Sequence, residues 1–344
     1  MLLDWTLKST VLLVLAALAA ILLRRAPAAT RHLVWGLGLA AALLVPPLSL
    51  VAPRWQLPAA VSTIRLPTIT VGTSVSASTV ANDAAAPALP PSPTVARRPS
   101  PSSAVSRPSS PSPAAPQRAP IDWSAWILPL WLAGALLVLG VLAIGLVRVR
   151  ALERQARPLT WGQVAHLVAA LLGRLDVQRS VTVLRTDDAC MPMTWGSLNP
   201  VVLLPGDADR WPAERLRAVL LHELAHVKRY DYTTQLIARL ACAVYWFNPL
   251  VWIAARRLRV ERELACDDLV LAAGSRASDY AGHLLEVARS LRVSPVTAVA
   301  TIAMARPSQL ANRLLAVLDA GRARCVVTTR LAVPATLGAL LVVL

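Results

Sequence analysis

The sequence predicts an α-helical transmembrane protein that also carries a cytoplasmic α+β domain. Hydrophobic residues make up 56% of the 344 residues and charged residues 16%, whereas a soluble domain is about half apolar and about a quarter charged. The apolar excess lies mainly in three segments before residue 150, each long enough to cross a bilayer. The sequence from 151 onward has a more ordinary composition, with helical and strand patterns.

The first two apolar segments predict a helical pair in the membrane, over residues 1–52. Residues 9–23 are uncharged, and residues 33–52 form the second apolar run, which contains a Pro pair expected to kink its far end. A signal peptide fits the first segment less well, because the positive pair Arg24 and Arg25 follows the apolar run instead of preceding it.

The charges between these segments predict the orientation of the chain. Arg24, Arg25 and Arg31 lie in the short connection, which the positive-inside rule places in the cytoplasm, with the N-terminus outside. Residues 53–121 then lie outside the membrane. Pro, Ser and Ala dominate this stretch from about residue 84, without a hydrophobic period, so we interpret it as an extracytoplasmic linker.

A third transmembrane helix is predicted over residues 122–150. Trp123 and Trp126 fit one membrane interface, and Arg148 and Arg150 fit the other. Residues 151–330 are then cytoplasmic, and the absence of Cys-x-x-Cys pairs among the four cysteines fits a reducing compartment. Residues 331–344 are apolar but too short to cross unaided, so we expect the start of a truncated fourth transmembrane helix. These expectations describe a multi-pass protein of the cytoplasmic (inner) membrane.

The net charge of +16 raises the question of nucleic-acid binding. The arginines are spread over the linker, the membrane boundaries and the helices, whereas a nucleic-acid site gathers them on one face. An anionic cytoplasmic leaflet accounts for this distribution more simply. We therefore predict membrane lipid as a partner and no direct binding of nucleic acid.

An H-E-x-x-H motif predicts a zinc site. His222 and His226 are four residues apart in a helical pattern, so both imidazoles can reach one Zn²⁺ from the same face. Glu223 can then hold the attacking water and accept its proton as the catalytic base. A helix with two incidental histidines is the alternative, but burying a carboxylate there costs free energy without a function.

The third zinc ligand is predicted to be Glu263, in a second helical segment. No further His follows the motif at metzincin spacing. Asp267 lies one turn after Glu263, where it can accept the N–H of a ligating histidine and orient the ring. Glu261 and Asp268 are rival ligands in the same segment.

Two further features are candidates for substrate handling. Residues 201–204 form a short apolar strand that could bind a peptide by strand addition, although a plain core strand fits equally well. Tyr230, Tyr232 and Tyr280 are candidate oxyanion stabilisers, although structural roles are more common for buried tyrosines.

Several motifs together resemble the BlaR/MecR-type membrane zinc metallopeptidases. The resemblance is carried by Arg31-His32-Leu33-Val34-Trp35, Pro192-Met193-Thr194-Trp195-Gly196, Pro200–Pro205, His222–His226 with Arg229 and Asp231, Trp246–Trp252, and Glu263-Leu264-Ala265-Cys266-Asp267. It implies an α-helical transmembrane protein with a cytoplasmic α+β zincin (gluzincin-type) metallopeptidase domain. It also implies one Zn²⁺ per chain, bound by His222, His226 and Glu263, with Asp267 behind a ligand.

The resemblance further implies a function in signal transduction. Family members cleave a cytoplasmic, DNA-binding transcriptional repressor, and often themselves, after an extracytoplasmic signal. The drug sensors of the family carry a penicillin-binding domain after the fourth span, which this sequence does not contain, so β-lactam sensing is not part of the expectation. Two alternatives stay open: a housekeeping membrane zinc protease, and a non-catalytic scaffold in which Cys266 closes the zinc site. The oligomeric state is also open, a homodimer included.

Overall fold

The computed structural model describes residues 2–51, 124–159, 162–187, 191–290 and 307–324. These residues belong to one of the chain's two compact units, and the other unit, Trp55–Trp123, lies outside the described residues. The predicted linker 53–121 and the expected fourth helix 331–344 therefore also lie outside them.

Three long helices carry the apolar segments: α1 (Leu2–Leu22), α2 (Ala28–Val51) and α3 (Ser124–Gln155). Each is long and apolar enough to cross a membrane. Helices α1 and α2 approach closely where a Cβ at Gly38 would lie 2.8 Å from the Cβ of Ala16, a small-residue contact typical of membrane helices. Many large side chains of α3 are exposed, among them Leu137 at 71%, as expected of a helix that faces lipid.

A four-stranded sheet lies after the third helix. It contains β1 (Arg157–Pro158), β2 (Thr182–Thr186), β3 (Met193–Trp195) and β4 (Val201–Pro205), in the order β1-β2-β4-β3. Strand β4 pairs in parallel with β2 and antiparallel with β3, and all its residues are buried. The prediction that 201–204 binds substrate by strand addition is therefore wrong, because both edges of this strand are already paired. The outer strand on that side of the sheet is β3.

Six helices complete the described fold. They are α4 (Gly162–Arg174), α5 (Ala213–Lys228), α6 (Asp231–Val244), α7 (Pro249–Ala272), α8 (Ala277–Ser290) and α9 (Pro307–Leu318), with a 3₁₀ turn at Gly206–Arg210. Pro212 precedes α5. Asn248 caps α7, because its side chain accepts the backbone N–H of Leu250 at 3.0 Å and Pro249 occupies the first turn.

Two hydrophobic cores hold these elements. The first packs the sheet against α4, α5, α8 and α9, with Val202, Leu220 and Val317 among its buried residues. The second joins α1 and α2 to α6 and α7 through residues such as Leu39 and Val251. Helices α6 and α7 therefore share a core with the membrane helices.

Helix α3 meets the α6–α7 turn at a glycine. A Cβ at Gly134 would lie 2.1 Å from Cε2 of Trp246, whereas a Cβ at Gly140 would meet nothing within 4 Å. We expect Gly134→Leu to destabilise the fold by about 1–3 kcal/mol through overpacking, and Gly140→Leu to have little effect. The thermal midpoint of each purified variant in detergent is the measurement. Equal midpoints for both variants would show that α3 does not pack here.

Candidate metal centre

Helices α5 and α7 bring the predicted ligands together. One ligand atom from each of His222, His226 and Glu263 lies within 4.8 Å of the other two. His222 Nε2 is 3.6 Å from Glu263 Oε2, and the two imidazoles meet edge to face with centroids 4.9 Å apart. Two imidazoles and a carboxylate are the donor set of a catalytic zinc site with an open coordination position. Among the described residues, no fourth ligand joins this group.

His222 is oriented from behind by Asp267 and Tyr280. Its Nδ1 lies 3.2 Å from Asp267 Oδ1 and 3.0 Å from the Tyr280 hydroxyl, which itself donates to Asp267 at 2.7 Å. Burial lowers the pKa of His222, but the hydrogen bonds to Asp267 and Glu263 outweigh it and raise the pKa to about 9. A metal ion that binds this ring therefore displaces a proton.

Tyr280 is a positioning residue that the sequence did not reveal as such. Its ring is buried and its hydroxyl is engaged by Asp267 and His222, so it is not directed at a substrate carbonyl. Tyr230 is 52% exposed, with the Arg179 guanidinium 3.8 Å from its ring centroid. Tyr232 packs against the cluster of β2, β3 and β4 residues. These contacts do not favour the prediction that one of the three tyrosines stabilises an oxyanion.

His226 is oriented by Asp231, which sequence reasoning missed as a site residue. The carboxylate of Asp231 lies 2.8 Å from His226 Nδ1. Burial raises the pKa of Asp231, but His226 and Arg229 outweigh burial and hold that pKa below its ordinary value. Asp231 begins α6, and the chain reaches it through Tyr230, whose φ is +55°. Helical spacing from the H-E-x-x-H motif therefore could not place this carboxylate.

Cys266 lies on the same side of His226 as Asp231. Its sulfur is 3.2 Å from His226 Nδ1 and 3.3 Å from Asp231 Oδ2. Burial raises the pKa of the Cys266 thiol well above its ordinary value. His226, Asp231 and Cys266 could themselves form a second cation-binding group. However, both Asp231 and Cys266 contact His226 at its Nδ1. This geometry disfavours a closed site with Cys266 as the fourth ligand of His222, His226 and Glu263.

Two arginines neutralise the Glu263 carboxylate. Arg262 donates to Oε1 at 2.6 and 3.0 Å, and Arg313 lies 3.4 Å from Oε2. Burial raises the pKa of Glu263, but Arg262 and then the hydrogen bond from His222 outweigh it and hold the pKa well below its ordinary value. Arg313 also donates to both oxygens of Asp267, at 2.9 and 2.7 Å. Sequence reasoning missed both arginines.

Glu223 faces the outer strand of the sheet. The Thr194 hydroxyl donates to Glu223 Oε2 at 2.6 Å, and Thr194 lies on β3. The Glu223 side chain is buried, with 7% of the residue exposed. One carboxylate oxygen is thus fixed by the strand, beside the two histidines of the same helix.

The rival ligands lie elsewhere. Glu261 pairs with Arg31 at the start of α2, at 2.8 Å. Asp268 lies 3.8 Å from Arg322 and from Arg324. Neither carboxylate belongs to a described group that could bind metal with the two histidines.

The long apolar helices, the small sheet and the His–His–Glu group between α5 and α7 fit a membrane protein with a metallopeptidase type of site. The chain belongs to the M56 peptidase family, described as BlaR1 peptidase M56, whose model matches residues 1–317. The resemblance predicted from the sequence motifs is thereby confirmed. Members of this family are metallopeptidases.

Curated relatives match a shorter region. The chain is 42% identical over 80 residues to the regulatory protein BlaR1 of Bacillus licheniformis, covering 23% of this chain and 13% of that protein. It is 25% identical over 95 residues to the methicillin resistance mecR1 proteins of Staphylococcus aureus and Staphylococcus epidermidis, covering 27% of this chain and 16% of theirs. The matched region thus spans a small part of these relatives.

The residues behind the ligands lead to a test of metal affinity. Asp267→Asn keeps the shape of the side chain but weakens its hold on His222, so we expect zinc affinity to fall by about 10–100-fold. Asp268→Asn is the matched control, because it changes the adjacent carboxylate on α7 outside the ligand group. Competition with a zinc-binding dye measures both affinities. Equal losses in the two variants would contradict a specific role for Asp267.

Proposed function

We propose that this chain is a membrane-embedded zinc metalloendopeptidase that acts in signal transduction. The observation that carries the proposal is the convergence of ligand atoms from His222, His226 and Glu263 within 4.8 Å. Glu223 lies beside them and accepts a hydrogen bond from Thr194. One Zn²⁺ per chain would bind to these three side chains. Such a metal polarises the scissile carbonyl and activates water when it is bound.

In this proposal the chain's own residues position the reactants and move the proton. Glu223 holds the attacking water, accepts its proton, and delivers the proton to the leaving amine. Thr194 fixes one Glu223 oxygen at 2.6 Å, which leaves the other oxygen for the water. Asp267 and Asp231 keep His222 and His226 in the orientation that ligation needs.

We propose β3 as the strand along which a peptide substrate binds. Among the described strands it pairs only with β4, on one side, and its Thr194 contacts the proposed base. An extended peptide that adds to the other side of β3 would lie across Glu223, because main-chain hydrogen bonds align added strands with the edge they extend.

The proposed substrate is a cytoplasmic transcriptional repressor, and the chain itself is a second one. Membership of the BlaR1 peptidase family supports this proposal. Residues 151–330 would form the cytoplasmic zinc domain, held by helices over 1–52 and 122–150, with 53–121 outside. An extracytoplasmic signal would reach the zinc domain through these helices, which share a core with α6 and α7.

New protein termini provide the test. The full chain would be reconstituted in vesicles with zinc and incubated with cytosolic protein, and new N-termini identified with and without a chelator. We expect chelator-sensitive cleavage of a DNA-binding repressor, of this chain, or of both. Chelator-sensitive cleavage of many unrelated membrane proteins would favour a housekeeping protease. Bound zinc without any cleavage would indicate a resting enzyme that needs the signal or a non-catalytic scaffold, and the absence of bound zinc would contradict the proposal.

A further inference from the structure

The turn between α6 and α7 is bonded to all three long apolar helices. The Asn248 amide donates to the Thr10 hydroxyl of α1 at 3.1 Å, and the Tyr245 hydroxyl donates to the Ala42 carbonyl of α2 at 3.0 Å. On α3, Trp131 donates to the Val244 carbonyl at 2.9 Å, and Trp246 donates back to the Trp131 carbonyl at 3.1 Å. These contacts hold the turn against the middle of α1 and α2, and against α3 about 10 Å from its start at Ser124.

The depth of the turn follows from two independent helices. A short connection joins α1 to α2, so the two run antiparallel with that connection on one membrane side. At 1.5 Å per residue, Thr10 lies about 20 Å from Leu23, where the first apolar run ends, and Ala42 lies about 14 Å from Leu33, where the second begins. The hydrocarbon core is about 30 Å thick. The turn therefore lies near the middle of the membrane.

The outward surface of this turn is apolar. Residues 240–255 contain no charged side chain, while Phe247 is 41% exposed and Ile253 is 50% exposed. Lipid hydrocarbon covers such an apolar surface without the free-energy cost of exposing it to water. Arg239, Arg256 and Arg257 flank the apolar stretch, as expected of cations whose long side chains extend back towards the membrane surface.

The polar side chains of the turn have protein partners, as hydrocarbon requires. The Asn248 side chain uses its oxygen to cap α7 and its amide to bond Thr10. The Tyr245 hydroxyl and the Trp246 indole are bonded to carbonyls of the membrane helices. Trp252 also donates to the carbonyl of Trp246 at 2.8 Å.

The position of the other end of α7 agrees with this depth of the turn. Glu263 lies 14 residues after Pro249, which corresponds to about 21 Å along the helix. That length returns α7 to the level of the α1–α2 connection. There Glu261 pairs with Arg31 at 2.8 Å, and Ala265 packs against Ala28 and Ala29 at the start of α2. The ligand group therefore lies near the membrane surface on that side.

We infer that α6 and α7 form a re-entrant hairpin, which enters the bilayer from the side of the metal centre and turns near its middle at residues 245–248. The partner of its outward surface is the hydrocarbon of the bilayer. The inference modifies the expectation of a cytoplasmic domain over 151–330, because part of that range would be inside the membrane. It does not depend on peptidase activity, only on α1–α3 crossing the membrane.

Cysteine labelling in membranes tests the hairpin. Phe247→Cys and Ile253→Cys would be compared with Leu198→Cys, which replaces a side chain that is 88% exposed between β3 and β4. The membranes would be opened so that a charged maleimide reaches both faces, with the unsubstituted chain as background. We expect the hairpin positions to react at least about tenfold more slowly than Leu198→Cys, because the reactive thiolate is unfavourable in hydrocarbon. After denaturation in detergent all three should react equally.

Labelling of the hairpin positions at the rate of Leu198→Cys would overturn the inference. A second measurement uses the unsubstituted protein, so it does not depend on the folding of variants. A phospholipid with a photoreactive group near the end of an acyl chain should form adducts with residues 246–253 as well as with α1 and α3. Adducts on α1 and α3 without any on 246–253 would also overturn the inference.

Discussion

Glu223→Gln is expected to abolish peptide cleavage while zinc stays bound. The amide keeps the size of the side chain and its hydrogen bond with Thr194 Oγ1, but it cannot accept the proton of the attacking water. Loss of a general base costs about 10²–10⁴-fold in rate. The three proposed ligands are unchanged, so each chain should still bind about one zinc ion. Turnover of a cleaved protein and metal content of the same preparation are the two measurements.

Glu214→Gln is the matched control for this experiment. Glu214 lies on the same helix α5 but is exposed in its first turn, so its replacement should leave both rate and zinc content unchanged. A Glu223→Gln protein that cleaves at the rate of the control would place the base elsewhere. A Glu223→Gln protein that loses zinc together with activity would show that Glu223 maintains the metal site and does not act only on the substrate.

The local part of the site was predictable from sequence, because helical periodicity is a local rule. The four-residue spacing of His222 and His226 places both rings on one face of a helix. The same rule places Asp267 one turn beyond Glu263. What the rule could not show is that Asp267 lies behind His222, since this depends on the packing of α7 against α5.

The remaining site residues come from other elements. Asp231 follows a left-handed residue at Tyr230, Tyr280 lies on α8, and Arg313 lies on α9. Nothing in the spacing of the motif connects these positions with it. Their contacts arise only from tertiary packing, so a single sequence carries no signal for them beyond their residue type.

The membrane elements likewise include some that a local sequence rule predicts and some that depend on tertiary packing. The three long helices were predicted because each apolar run is long enough for a bilayer. The α6–α7 hairpin escaped the same reasoning, because the uncharged stretch 240–255 is too short to cross a bilayer. Likewise, the apolar run 201–204 identified a buried strand, but only the pairing shows that it lies inside the sheet.

Glu263→Gln is expected to remove zinc, and with it activity. A neutral amide is a far poorer zinc ligand than a carboxylate. Since the loss of a supporting partner behind a ligand already costs about 10–100-fold in metal affinity, the loss of a ligand should exceed that range. The side chain also neutralises Arg262 and Arg313, so some stability should be lost because two partly buried guanidinium groups lose a charge partner.

Glu261→Gln separates these effects. Glu261 lies two residues earlier on α7 and pairs with Arg31 at 2.8 Å, and the side chains of both partners are 13% exposed. Its replacement should lower the thermal midpoint without affecting zinc, whereas Glu263→Gln should lose zinc at temperatures where the protein is still folded. Zinc content measured below both thermal midpoints therefore decides between the two carboxylates. If Glu261→Gln lost the metal and Glu263→Gln kept it, the proposed ligand set would be wrong.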